Sequence, residues 1–149
     1  MKDLKHIKRF NEHIENLKET SSNISDVSGK YSYNIIKGDE NTFELFLDEK
    51  LIGQSKFSNI EESGYFNDED CVEIYDFKIL ENFRNRGYSK ILMTELLKYL
   101  SKFVKLVELH VAEDNKVAIK LYESMGFETY FSNYGHLSMF KRLKNNKRR

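Results

Sequence analysis

The sequence predicts an α/β (α+β) domain: a mixed, mostly antiparallel sheet flanked by helices. Two patterns carry the prediction. Residues 31–57 hold three short apolar-alternating runs separated by polar turns, which reads as an antiparallel meander. From residue 72 the order becomes strand, helix, strand, helix and two closing strands, so helices connect neighbouring strands. The length of 149 residues fits one domain spanning 1–149, long enough to bury about two thirds of its unfolded surface.

The elements follow from the periodicities. Leu4, Ile7, Phe10, Ile14 and Leu17 recur at helical spacing, so residues 3–18 are expected to form an amphipathic helix, either a docking element or a cover for the sheet. Residues 19–28, rich in Ser, Asn and Asp, read as a loop. Strands are expected at 31–37, 42–47 and 51–57, turned by Gly38-Asp39-Glu40-Asn41 and Asp48-Glu49-Lys50. The acidic stretch 59–70 reads as an exposed loop. A strand over 72–80 then feeds a glycine turn and a helix over 88–103, with Leu92, Leu96, Leu100 and Phe103 on one face. Residues 107–112 alternate as a strand should. The helix over 116–125 is expected to bury Ala118, Leu121 and Met125 and to stop at Gly126. Strands at 127–131 and 136–143 precede a basic tail at 144–149.

Composition narrows the function classes. Lys+Arg and Asp+Glu are balanced at 24 each, so no global field draws the chain to nucleic acid or to an anionic membrane. No apolar run approaches the ~20 residues of a bilayer span, and the polar start lacks a signal-peptide core. The single cysteine, Cys71, allows no intramolecular disulfide and fits a reducing compartment. The expected location is cytoplasmic. His6, His13 and His136 lack ligand spacing to cysteines or carboxylate pairs, so no metal is expected.

Two segments carry chemistry. In Phe83-Arg84-Asn85-Arg86-Gly87-Tyr88-Ser89-Lys90, a strand turns into a helix. The first backbone N–H groups of such a helix are unpaired and lie at the positive end of its dipole. Gly87 lets an anion approach the backbone, and Arg84, Arg86 and Lys90 add positive charge. By itself this is weak evidence, and reads as an ordinary turn with solvated arginines. In Leu121-Tyr122-Glu123-Ser124-Met125-Gly126-Phe127, behind a helical run that opens at Asn115, Tyr122 is either a proton donor or a half-buried helix aromatic.

The run from Ile74 to Ser89 resembles the acetyl-CoA-binding motif of the GNAT acetyltransferase superfamily, an apolar strand followed by Arg/Gln-x-x-Gly-x-Gly/Ala. Val107 to Ala112 with Asn115 and Ala118 to Phe127 resembles that family's second motif, strand–Asn–helix–Leu-Tyr-Glu-x-x-Gly-Phe. Together they cover about residues 72–131, closest in motif to ribosomal-protein alanine N-acetyltransferase-like members. Three departures stand out. Ser89 occupies the second small position, Glu81 replaces a common proline, and a tight turn joins the first strands where the family places one or two helices.

The resemblance implies a single-domain fold whose central strands splay around acetyl-CoA as co-substrate. It implies that the Phe77–Lys78–Ile79 main chain pairs with the pantetheine arm, that backbone amides from Asn85 to Lys90 cradle the pyrophosphate beside Arg84, and that Asn115 contacts the cofactor. Tyr122 would protonate the departing thiolate, fitting for a phenol of pKa ~10. The acceptor's proton would go to His110, which stands where the alanine acetyltransferases carry a glutamate; imidazole accepts protons at neutral pH. Asp76, Glu73 and Glu108 are the alternatives, and His110 could equally be a surface or satisfied strand histidine. The expected partner is a primary amine on a small molecule or a protein, with a homodimer through the exposed sheet edge left open. The other reading is a non-catalytic acyl-CoA-binding or protein-interaction module.

Overall fold

The computed structural model describes residues 23–26, 29–67 and 69–144. The helix expected over 3–18 and tail residues 145–149 lie outside them. Among the described residues nine strands and two α-helices follow in order: β1 (Asn23–Asp26), β2 (Gly29–Ile36), β3 (Asn41–Leu47), β4 (Lys50–Phe57), β5 (Glu61–Ser63), β6 (Glu69–Ile79), α1 (Tyr88–Leu100), β7 (Leu106–Ala112), α2 (Lys116–Ser124), β8 (Glu128–Asn133) and β9 (His136–Arg142). A single 3-10 turn, Glu81–Phe83, precedes α1.

The strands form one sheet in the order β1-β2-β3-β4-β6-β7-β9-β8, with β5 paired to the start of β6. All pairings are antiparallel except β6 with β7, because α1 carries the chain back across the sheet between those two strands. The β3–β4 hairpin turns on Asp48 and Glu49, both at positive φ (49° and 71°), the two-residue turn whose twist matches its strands.

Alternation along the meander sorts its side chains. Tyr31, Tyr33 and Ile35 of β2, Phe43 and Leu45 of β3, and Ile52 and Phe57 of β4 are buried. Against them α1 sets Leu92, Met93, Leu96 and Leu100, each fully buried. Each such side chain contributes roughly 1.5–3 kcal/mol on burial. Tyr99 of α1 lies among the rings of Tyr33, Phe43, Phe57 and Phe103, with centroids 5.4–6.0 Å away.

Four expectations are corrected. The loop expected over 19–28 contains β1, whose backbone extends the meander by one strand. The loop expected over 59–70 contains β5, and β6 starts at Glu69 rather than at residue 72. There the buried Ile60 and Cys71 anchor a short edge hairpin whose outer positions are acidic, and that acidity hides the strand pattern. Helix α1 ends at Leu100, and Phe103 sits in the turn that follows. Finally, α2 has no fully buried residue: Ala118, Leu121 and Met125 are only half-buried, because part of its apolar stripe faces an open cleft.

Two features shape that cleft. Strands β6 and β7 pair only at Val72–Val107 and Glu73–Glu108, and beyond these positions they diverge into a wedge. Opposite, β4 lies so close to β6 that a Cβ on Gly53 would meet the Ile79 side chain at 2.6 Å and the Lys78 carbonyl oxygen at 3.0 Å. Two β6 residues, Asp76 and Phe77, bulge where β4 supplies one, Ser55. Asp76 accordingly takes a positive φ of 50°, and the Ser55 hydroxyl donates to the Tyr75 carbonyl (3.2 Å).

Candidate active site

The wedge opens into a cleft of about 650 Å³. One wall is the end of β6, with Phe77, Lys78 and Ile79. The floor is the turn and first residues of α1, with Arg84, Asn85, Gly87, Tyr88, Ser89 and Lys90. The second wall is Asn115 and the exposed stripe of α2, with Val117, Ala118, Leu121 and Tyr122. Of the residues singled out for cofactor binding, only Arg86 is absent from this lining; it is exposed at the outside of the turn. Val117, Ala118 and Leu121 form an apolar wall that sequence reasoning assigned to the core or passed over.

The floor is suited to an anion. Gly87 is the N-cap of α1 in the left-handed region (φ 85°, ψ 4°), and no side chain caps the helix. The first amides of α1 therefore point outward without a partner from a capping side chain, at the positive end of the dipole. A Cβ on Gly87 would have nothing within 4 Å, so the space over the turn is open to a ligand. Asn85 is also at positive φ (64°). Arg84 plays a structural part as well: its Nε donates to the Ile79 carbonyl (2.8 Å), tying the turn to the end of β6. The Tyr88 ring packs edge-on to Tyr31 and Phe83. At the second wall, the Asn115 Oδ1 accepts from the Ala118 amide (3.2 Å) and caps α2. Its Nδ2 amide group makes no bond among the described residues and can face a ligand.

At the inner end, the Tyr122 ring rests edge-on against Phe77 (6.2 Å) and beside Phe127 (5.9 Å). Burial alone pushes its pKa up, and its hydroxyl has no partner among the described residues. The phenol therefore holds its proton through the neutral range and is free to donate it.

The candidate bases lie outside the cleft lining. His110 is on β7, two residues past the last β6–β7 pair. Its Nδ1 is 2.9 Å from the Ser138 hydroxyl of β9, and its Nε2 is 3.8 Å from Glu73 Oε2 across the mouth of the wedge. Asp76 is turned away. Its side chain is 63% exposed and lies 3.8 Å from Lys56 Nζ, which forms a shorter pair with Glu40 (2.6 Å). Glu108, paired with Glu73 in register, accepts from the Tyr130 hydroxyl (2.8 Å) and from the Cys71 thiol (3.0 Å). Burial and that carboxylate push the Cys71 thiol far up, so Cys71 is a core thiol and no nucleophile. Glu61 joins the same face, its carboxyl raised by burial and by Glu73 and Glu108. Ser138 and Tyr130 escaped sequence reasoning, since neither stands in a motif and both reach His110's surroundings through strand pairing. No group of three or more His, Cys, Asp and Glu suited to a metal occurs among the described residues. No helix among them is long and apolar enough to cross a membrane.

The acetyltransferase PseH of Campylobacter jejuni is 30% identical over 123 residues, covering 81% of this chain and 63% of PseH. An uncharacterised N-acetyltransferase of Methanocaldococcus jannaschii, MJ1207, is 35% identical over 75 residues, 50% of this chain and 33% of that protein. The chain thus spans a third of one relative and under two thirds of the other. The solved structure of PseH in complex with acetyl coenzyme A shares the fold, with a TM-score of 0.60 at 24% identity over 72% of this chain and 71% of that one. So does the ribosomal-protein-S18-alanine N-acetyltransferase of Escherichia coli, with a TM-score of 0.58 at 19% identity over 72% of each chain. The sequence model of the acetyltransferase (GNAT) family matches residues 8–127, and with most of its length inside that match the chain belongs to this family.

Proposed function

We propose that the chain is a single-domain, acetyl-CoA-dependent N-acetyltransferase that acetylates a primary amine by direct attack, without an acyl-enzyme. The observation that carries this reading is the wedge between β6 and β7. At one end it offers the uncapped N-terminus of α1 to a pyrophosphate, and at the other it offers a protonated Tyr122 to a leaving thiolate. The PseH structure, which holds acetyl coenzyme A, supports the same donor here.

In this reading the open amides from Asn85 to Lys90 and the positive charge of Arg84 and Lys90 hold the pyrophosphate. The backbone edge of β6 at Phe77–Ile79, where Arg84 already holds the Ile79 carbonyl, carries the pantetheine arm, and the apolar wall of α2 excludes water beside it. The acceptor amine attacks the thioester carbon from the mouth of the wedge. Its proton passes to His110 Nε2, with Glu73 beside it to stabilise the charge, and the thiolate leaves with the proton of Tyr122. Asp76 is the weaker candidate for the base, since it faces Lys56. Positioning two substrates supplies most of the rate, and the acid and base add their usual 10²–10⁴-fold.

The test is thiol release from acetyl-CoA with a panel of amines, peptides and polyamines, products identified by mass spectrometry. Turnover with any of them supports the enzyme. Tight acetyl-CoA binding without turnover across the panel would instead favour a non-catalytic acyl-CoA-binding module.

A further inference from the structure

Gly53 of β4 lies outside the cleft lining, yet the end of β6 is seated against it. It is buried, and its φ is not in the left-handed region, so conformational freedom is not what places a glycine here. Space is. A Cβ at this position would meet Ile79 Cδ1 at 2.6 Å, the Lys78 carbonyl oxygen at 3.0 Å and Leu92 Cδ2 at 3.4 Å. A strand glycine of this kind marks the close approach of another backbone.

The bulge in β6 explains why Ile79 points there. Ile74 and Ile79 are both buried, although an odd number of residues separates their positions and regular alternation would put them on opposite faces. The extra residue opposite Ser55 restores the parity and sets Ile79 in register with Gly53. Two bonds then carry that placement to the cleft. The Leu80 amide donates to the Ile52 carbonyl at 2.9 Å. The Ile79 carbonyl accepts from Arg84 Nε at 2.8 Å, which ties it to the turn ahead of α1.

Ile79 Cδ1 is hemmed in, since fully buried Leu92 bounds the same space. A methyl at residue 53 therefore displaces the end of β6, and with it Arg84 and the turn, by a few tenths of an ångström. The geometry points to Gly53 as a positioning residue: lacking a side chain, it seats the end of β6 at the depth from which the glycine turn faces the cleft. The consequence for the cofactor rests on the acetyl-CoA reading; the seating does not.

Hydrogen exchange at the Leu80 amide and at Arg84 Nε–H, in the protein alone, reads the seating directly. Ile35→Val, a fully buried truncation on β2, controls for lost stability alone. Gly53→Ala should speed both exchange rates by roughly ten-fold or more beyond that control. In calorimetric titration with coenzyme A, Gly53→Ala should bind roughly ten-fold more weakly and Ile35→Val as wild type does. With an accepted amine, KM for acetyl-CoA should rise in Gly53→Ala while kcat at saturation changes little. Ile79→Val removes Cδ1; in that background Gly53→Ala should cost less than about two-fold in affinity, because the new methyl takes the vacated place. This pair also decides the matter if Gly53→Ala alone does not fold. Exchange or affinity in Gly53→Ala no different from the control, or a loss of about ten-fold in the Ile79→Val background, would overturn the inference. If the wild type does not bind coenzyme A, the acetyl-CoA reading falls, and exchange at Leu80 and Arg84 still decides this one.

Discussion

Gly87 and Gly135 form a matched pair that separates ligand recognition from backbone strain. Both occupy the left-handed region, at φ 85° and 84°, and a Cβ on either meets nothing within 4 Å. Changing either to alanine therefore adds the same conformational strain, about 1–2 kcal/mol, with no packing clash. The smaller gain from restricting the unfolded chain is also common to both. Each variant should melt lower by about 2–4 °C per kcal/mol lost, as expected for a chain of this size. Their positions differ: Gly87 lines the cleft at the N-cap of α1, and Gly135 sits in the β8–β9 turn. If the pyrophosphate lies on the first amides of α1, the new methyl at residue 87 projects into its place. Losing one hydrogen bond to a charged group costs about 1.5–3 kcal/mol, or roughly ten- to a hundred-fold in affinity. Calorimetric titration with coenzyme A should show that loss for Gly87→Ala and wild-type affinity for Gly135→Ala. Equal affinity in the two variants would refute the placement of the phosphate site.

Three further outcomes are expected. Tyr122→Phe keeps the ring packing on Phe77 and Phe127 and removes the proton donor, so kcat measured by thiol release should fall by roughly ten- to a thousand-fold with acetyl-CoA affinity little changed. His110→Gln should lower turnover and flatten the limb on which the rate rises with pH, whereas Asp76→Asn should have the smaller effect; the reverse result would make the carboxylate of the bulge the base. Cys71, Tyr99, Tyr122 and Tyr130 all have their pKa values raised by burial, so above about pH 9–10 the unfolded chain releases protons that the folded chain retains. Stability is then complete below that range and falls as pH rises through it; a thermal midpoint that stays flat or climbs between pH 8.5 and 10.5 would contradict this.

The local patterns were legible where one physical requirement dominates a segment. Strands β2 to β4 alternate cleanly because one face is buried beneath α1, and α1 shows its stripe of Leu92, Leu96 and Leu100 for the same reason. The glycine turn and the Leu-Tyr-Glu segment were legible through their resemblance to a family's motifs; read alone, the turn is an ordinary one with solvated arginines. Short edge strands were not. β5 buries only Ser63 of its own residues, with Ile60 just before it, and its carboxylates read as solvent-exposed loop. The apolar stripe of α2 was read as burial because sequence cannot distinguish a side chain facing a core from one facing an empty cleft. The surroundings of His110 were invisible for a different reason: Ser138 and Tyr130 lie 28 and 20 residues away along the chain and arrive only through strand register.

The divergence of β6 and β7 leaves the sheet open along one seam. Past Glu73 the backbone groups of β6 on the β7 side have no strand partner among the described residues, in the middle of a sheet and not at its edge. A ligand lying along that seam stands in for a strand and joins two half-sheets that otherwise meet at two residue pairs. Its binding free energy then enters folding directly: at a hundred-fold excess over its dissociation constant, a bound ligand adds about 2.7 kcal/mol. Amide exchange at Phe77 and Ile79 reports this linkage, slowing as the seam closes. If that ligand is the proposed co-substrate, thermal resistance follows its concentration as well as the packing beneath α1.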